Sequence, residues 1–240
     1  MTTEASMTRE SAEPGVSGAS TVPGGWSVLR AHDRSAAPWK NGGGITREVA
    51  AGPAGAGLDD FSWRVSLAEV GQGGPFSSFS GVDRVITLVE GPGMELTVDG
   101  APHTIAAPHQ PFAFPGDAMT TCRLLGGPIG DLNVMTRRTR VTAHVRMAHE
   151  DFSPAPRSGE LVLVIALLGT VTFEEPGVVL DRLDAAVLSG QDVGAVPVEG
   201  AVPVAGAVPA QGEVPAQGTV RVEGTAAVIT LTPVPRSPGL

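Results

Sequence analysis

Phe61-Ser62-Trp63-Arg64-Val65-Ser66-Leu67-Ala68-Glu69-Val70 is the stretch that decides the fold. Trp63, Val65 and Leu67 fall on one side of an extended chain and Arg64, Ser66 and Ala68 on the other, because successive side chains of a strand alternate. Outward from it the same period of two recurs in short runs. Upstream, residues 26–30 and 45–49 predict strands; downstream, 84–90 and 94–99 predict a strand pair around Gly91-Pro92-Gly93. Asp99-Gly100 is a hairpin signal, and the proline-bracketed segment 110–117 suits a sheet edge or rim. Residues 120–125 and 131–135 add two more strands. Many short strands, each closed by turn chemistry, predict an all-β sandwich or barrel.

Length and composition agree. A chain of 240 residues can bury a substantial core, and 32 glycines with 21 prolines leave little room for periodic helices. A net charge of −9 argues against a nucleic-acid or anionic-membrane partner, which would need a basic face. The single cysteine, Cys122, excludes an internal disulfide and fits a reducing, cytoplasmic setting; between Thr121 and Arg123 it reads as a packed small residue. Residues 1–24 lack the apolar run of a signal peptide and read as a disordered tail. The longest apolar run, 161–168, predicts a buried strand and is too short to span a bilayer. Val196, Val202, Val208 and Val214 each open a six-residue V-P-x-x-G-x unit. Proline at every second position cannot donate to a ladder, so the repeat reads as a flexible surface insertion at about 194–219.

A barrel of short strands raises the question of a metal. Two histidines one residue apart would put both imidazoles on one strand face, but His32, His103, His109, His144 and His149 are scattered and no pair has that spacing. No metal or other cofactor is expected, and neither a nucleophile elbow nor a phosphate-binding glycine loop is present.

What the strands do carry is a basic and amide-rich set. Arg64 and Ser66 share one strand face, and Asp131 and Asn133 another. Lys40, Asn41 and Arg84 sit at strand ends or turns, where a barrel mouth would gather them. Lys40 is the only lysine against fifteen arginines, and it precedes Gly42-Gly43-Gly44. Three glycines forfeit roughly 0.5–1 kcal/mol each relative to alanine, so the run marks a positive φ or a close approach. Lys40 then reads either as a compact charge for a ligand or as a solvated residue beside a tight turn. Arg64 and Arg84 read either as carboxylate-binding groups or as partners of Asp131, Asp83 or Glu69 in internal ion pairs. The set as a whole predicts a pocket for a small acid.

The segments W-K-N-G-G-G-I-T-R-E (39–48), F-S-W-R-V-S-L-A-E-V (61–70), G-P-F-S-S-F-S-G-V-D-R (74–84) and L-V-E-G-P-G-M-E-L (88–96) resemble the HutD/Ves family. So do F-P-G-D (114–117) and D-L-N-V-M-T-R-R (131–138). The likeness runs in order from about 26 to 140, loosens beyond, and omits the tail and the V-P repeat. It implies a cupin-like bicupin: two β-barrel halves in one compact unit, expected over 25–145 and 146–240, without the usual cupin metal ligands. It also implies a regulator or governor of histidine utilisation that binds an acidic metabolite such as N-formylglutamate, while the Ves branch is linked to stress. Carried over by position, the ligand-binding residues are Lys40, Asn41, Arg64, Ser66, Arg84, Asp131 and Asn133. Ser80 departs from the proline more common in the family. Two rival readings stand beside this one. One is a cupin-type isomerase or hydrolase of a small carboxylic acid, with Lys40 or Asp131 as acid/base. The other is an interaction module built on the V-P repeat. The expected partner is the metabolite, with a homodimer left open.

Overall fold

The computed structural model describes residues 20–22, 26–175, 177–190 and 218–235, so the V-P repeat and most of the N-terminal stretch lie outside the described residues. In chain order the strands are β1 (Ser20–Val22), β2 (Trp26–Leu29), β3 (Ala36–Pro38), β4 (Gly44–Gly52), β5 (Trp63–Val70), β6 (Gly74–Pro75), β7 (Val82–Glu90), β8 (Met94–Val98) and β9 (Ala101–Ile105). There follow β10 (Pro111–Pro115), β11 (Thr120–Leu124), β12 (Ile129–Arg137), β13 (Val141–Ala148), β14 (Leu161–Phe173), β15 (Val178–Leu180), β16 (Ala185–Ser189) and β17 (Val220–Pro233). One turn of 3₁₀ helix, Ala31–Asp33, links β2 to β3. No described helix is long and apolar enough to cross a membrane.

Three sheets make the two halves of a cupin-like bicupin. In the first half a six-stranded sheet, β10-β7-β12-β5-β4-β3, faces a four-stranded one, β6-β11-β8-β9. Between them lie Ile86, Leu88, Met94, Leu96, Ile105 and Phe114. No ladder joins the two, so this half is a two-sheet jelly roll rather than a closed barrel. The second half is one sheet, β1-β2-β16-β14-β17-β13, with β15 on β14. Its long strands β14 and β17 turn a corner where Gly169 (φ 71°) opposes Gly224 (φ 125°). A Cβ on either would lie about 2 Å from the carbonyl oxygen across the ladder, so the corner needs glycine twice. Trp63, Val65 and Leu67 of β5 pack against Leu163, Ile165 and Ile229 of the second sheet, sealing the halves face to face.

The strand reading of residues 61–70 holds face for face over Trp63–Val70, with Phe61 and Ser62 preceding the strand, and β10 is an edge strand as its prolines require. Asp99 (φ 47°) and Gly100 (φ 84°) form the β8–β9 hairpin turn. Three expectations change. The segments 84–90 and 94–99 are not partners: β7 pairs with β10 and β12, whereas β8 pairs with β9 and β11. Their apolar faces meet across the interior, an arrangement that alternation alone does not distinguish from a hairpin. The boundary expected at 145/146 falls inside β13, and β2, expected in the first half, pairs with β16 in the second sheet. The chain thus begins in the second half, makes the first half, then returns. Finally, Ser20–Val22, read as part of a disordered tail, pairs with β2 as β1.

Candidate functional site

Register gathers the polar set inside the first half. Arg64 on β5 and Arg84 on β7 flank Met135 of β12; in the next row inward Ser66 opposes Asn133, and beyond it Ala68 opposes Asp131. All point to the face that also carries Ile86 and Leu88.

Arg84 is the centre of this arrangement. It is 5% exposed, and its guanidinium lies 4.8 Å from the Phe76 ring centroid, 5.1 Å from Phe114 and 5.9 Å from Phe79. A guanidinium has five N–H donors. Among the described residues none of those on Arg84 finds an acceptor, and Nε is fully enclosed. Burial, and behind it the charge of Arg64, pulls Arg84 down to about 10, with Asp131 opposing the shift; the group still carries its charge at neutral pH. The rings offer their faces to the cation but cannot accept its in-plane hydrogen bonds.

Its neighbours are unevenly satisfied. Arg64 Nε donates to Glu48 at 2.5 Å and Nη1 reaches the buried Ser66 hydroxyl at 3.5 Å. Asn133 Oδ1 is enclosed without a donor among the described residues. Asp131 is 4% exposed, makes no hydrogen bond or ion pair among the described residues, and is pushed up to about 7 by burial against the pull of Arg84. Cys122, across the interior, is raised to about 11 by burial and by the Asp131 charge. The internal ion pairs weighed for Arg64 and Arg84 do not form with those acids. Asp83 pairs with Arg138 at 2.5 Å, Glu69 with Arg47, and Asp131 lies beyond 4 Å of either arginine.

Lys40 and Asn41 lie on an exposed turn at the opposite end of β5 from Arg64. The turn they occupy meets the Val70 end of β5, with the amides of Gly71 and Gln72 donating to Gly43. Six residues of strand, about 20 Å, separate that end from Arg64. Asn41 Oδ1 accepts from the Gly43 amide at 3.0 Å, fixing the turn, and Lys40 is exposed. The glycines are explained locally: Gly42 has φ 70°, and a Cβ on Gly44 would meet the Glu69 carbonyl at 2.5 Å and the Trp39 ring at 3.2 Å. Glu48 and the three phenylalanines around Arg84 are neighbours that the basic and amide-rich pattern does not single out. Glu48 sits on the same alternation as Thr46, and Phe76 and Phe79 stand in G-P-F-S-S-F, an aromatic pair unusual for a turn. Among the described residues no three His, Cys, Asp or Glu side chains converge as a metal set, and two guanidiniums in the interior do not suit a cation.

Arg84 and Asn133 are the unpartnered polar groups of this interior among the described residues, and their chemistry is complementary to an anion with an adjoining N–H. A carboxylate beside Arg84 would receive two parallel charge-assisted bonds, and Asn133 Oδ1 would accept from an adjoining N–H.

Comparison with known proteins places these residues in a wider group. The HutD family model matches residues 31–205. A Pseudomonas putida protein described as an uncharacterized 21.2 kDa protein in the hutC 3′ region is 39% identical over 168 residues, 69% of this chain and 87% of the relative. Protein Ves of Citrobacter koseri is 44% identical over 130 residues, 53% of this chain and 66% of the relative. The solved structure of HutD from Pseudomonas fluorescens SBW25, described for a formate condition, aligns with TM-score 0.69 at 33% identity, over 88% of this chain and 100% of that one. At 10% identity, a bacterial pirin of Escherichia coli shares the fold alone, with TM-score 0.54 over 87% of this chain and 99% of that one.

Proposed function

Because this chain belongs to the HutD family, we propose that it is a small-molecule-binding protein of histidine utilisation. It takes an acidic metabolite such as N-formylglutamate into the interior of the first half and acts as a regulator of the pathway. The observation that carries this reading is Arg84: a buried cation with no hydrogen-bond or ion-pair partner among the described residues. A buried charge costs several kcal/mol, roughly, unless something pairs with it, and a ligand carboxylate is the simplest partner. The amide N–H of a formylated amino acid matches Asn133 Oδ1, and a second carboxylate would lie toward Arg64. Two or three charge-assisted bonds at about 1.5–3 kcal/mol each correspond to a dissociation constant of roughly millimolar to micromolar. The metabolite is then the partner, and the single cysteine and net charge of −9 favour a cytoplasmic protein with no polyanion to bind.

Calorimetry with N-formylglutamate, glutamate and formate tests it. Wild type is expected to bind N-formylglutamate most tightly, and Arg84→Met to lose at least tenfold in affinity. Silence toward every acid, or equal binding by Arg84→Met, refutes the reading. Asp131 supports a second reading, since a carboxyl titrating near neutrality suits general acid–base work on the same acid. Product appearing by NMR with wild type and not with Asp131→Asn would make the protein an enzyme; unchanged substrate with saturable binding leaves it a sensor.

A further inference from the structure

On the other face of the six-stranded sheet, at the seam between the halves, lies a cleft of about 220 Å³ that the interior cluster does not use. Its floor is Gly130 of β12, which stands in register between Glu69 of β5 and Glu90 of β7. A Cβ on Gly130 would meet the Glu90 side chain at 3.0 Å, so the missing side chain is what keeps the floor open. Each glutamate is held by its own arginine on the rim: Glu69 by Arg47, and Glu90 by Arg182 at 2.6 Å. The opposite wall comes from Arg34, with Arg182 and Leu183 contributed by the second half. Ala68 and Asp131 also border the cleft, but their side chains turn to the interior of the first half, leaving Leu67 and Val89, with Ala31 and Leu183, as its apolar lining.

Arg34 sets the chemistry. Nη1 donates to the Leu183 carbonyl at 2.6 Å and Nη2 to the Leu29 carbonyl at 3.1 Å, while Nε is enclosed without a partner among the described residues. Its two bonded acceptors are neutral. The acid whose charge acts on it, Asp184, is already occupied by Arg30 at 2.7 Å and by the amides of Ala31 at 2.7 Å and Asp181 at 3.2 Å. Burial pulls Arg34 down to about 10, opposed by Asp184, so it stays charged at neutral pH. With Arg47–Glu69 and Arg182–Glu90 self-compensated and the Asp131 side chain turned to the other face, Arg34 is the cation of the lining without an acidic partner of its own. Leu183 meanwhile sits at φ 68°, a conformation a branched side chain seldom adopts, and such strain collects at ligand clamps.

We infer that this seam cleft is a second binding site, for a small monocarboxylate with an apolar body. Its carboxylate would lie against the Arg34 guanidinium, and its hydrocarbon part would lie on Leu67 and Val89 over Gly130. A ligand there touches both halves at once, so occupancy would tie them together. The inference does not depend on the interior site.

The test is an NMR titration of the full chain with sodium butyrate, using butyramide as the uncharged isostere. Butyrate is expected to move the Arg34 Nε–H signal and the Ala31 and Leu183 amides along saturable curves, with at least tenfold weaker response to butyramide. The same shifts should persist in Arg84→Met, where N-formylglutamate binding is lost, so the two sites can fail separately. Gly130→Leu, which fills the floor, and Arg34→Gln should each weaken butyrate at least tenfold. Should Arg34→Gln unfold, the Gly130→Leu titration decides alone. Absence of saturable shifts at Arg34 in wild type, an equal response to butyramide, or undiminished binding by Gly130→Leu would overturn the proposal.

Discussion

Inside the second half, β14 and β17 bring Val164, Phe173, Val220 and Val228 against Trp26, with the Trp26 and Phe173 ring centroids 4.4 Å apart. Inside the first half, the equivalent depth holds Arg84, Asp131, Ser66 and Asn133 beside Ile86 and Leu88. One interior is spent on cohesion; the other gives up cohesion for groups that want a partner. Buried charge in itself does not separate the halves, because Asp184, in the second, is as enclosed as Asp131. Satisfaction separates them. Asp184 accepts from Arg30 and two backbone amides, whereas Asp131 accepts from nothing described. A buried charge with all its bonds made belongs to the scaffold, and one without them marks where chemistry or a ligand belongs.

The sharpest way to break this contrast is to substitute one large side chain in each interior. Phe173→Ala leaves a cavity against Trp26 and is expected to cost about 3–5 kcal/mol. Arg84→Met replaces an unpaired buried cation by an apolar chain of similar length. It is expected to leave stability unchanged or raise it by about 1–4 kcal/mol. Urea unfolding of both variants reads the difference. A loss in Arg84→Met comparable to that in Phe173→Ala would mean that Arg84 serves the core after all.

The two aspartates sharpen the contrast through pH. Asp131, at about 7 in the folded chain, lies above its ordinary value of 3.8. A folded-state pKa raised in this way means the native protein holds the proton more tightly than the unfolded one. Its contribution to stability is complete below about pH 4 and is lost as pH rises through 7, at no more than about 1.4 kcal/mol per pH unit. Asp131→Asn should therefore match wild type near pH 4 and exceed it at pH 8. Asp184→Asn should be less stable at pH 7, by about 1.5–3 kcal/mol for the charged bond to Arg30. Urea midpoints at pH 4, 6 and 8 check both signs. A flat difference between Asp131→Asn and wild type across that range would contradict the assignment.

How much of this could be read before folding depends on whether the deciding contact is local. Alternation in residues 61–70 placed Arg64 and Ser66 on the inner face and Trp63, Val65 and Leu67 on the seam, because side-chain direction follows from the backbone alone. The same alternation says which face is buried but not which strand lies alongside, so the sheet of β2 and the partners of β7 and β8 were not legible. Arg84 was picked out as a basic residue, but its setting comes from a glycine-rich turn and an edge strand about thirty residues later. Competition between pairs was equally hidden. Asp83 and Glu69 stand near Arg84 and Arg64 in sequence, yet Arg138 and Arg47 claim them.

The glycine turn gives the smallest test, and the one most specific to reading a motif as a site. Asn41 and Lys40 stand side by side in it, and only Asn41 has structural work, through the bond from the Gly43 amide. Asn41→Ala should lose about 0.5–1.5 kcal/mol, the net worth of one hydrogen bond. Lys40→Met, on an exposed position far along β5 from Arg64, should stay within about 0.5 kcal/mol of wild type. It should also bind N-formylglutamate as wild type does, since about 20 Å of strand lies between that turn and Arg64. A Lys40→Met protein that folds normally but loses the metabolite would show the ligand reaching from the interior to the turn. The binding surface would then extend along the whole inner face of β5 rather than gathering around Arg84.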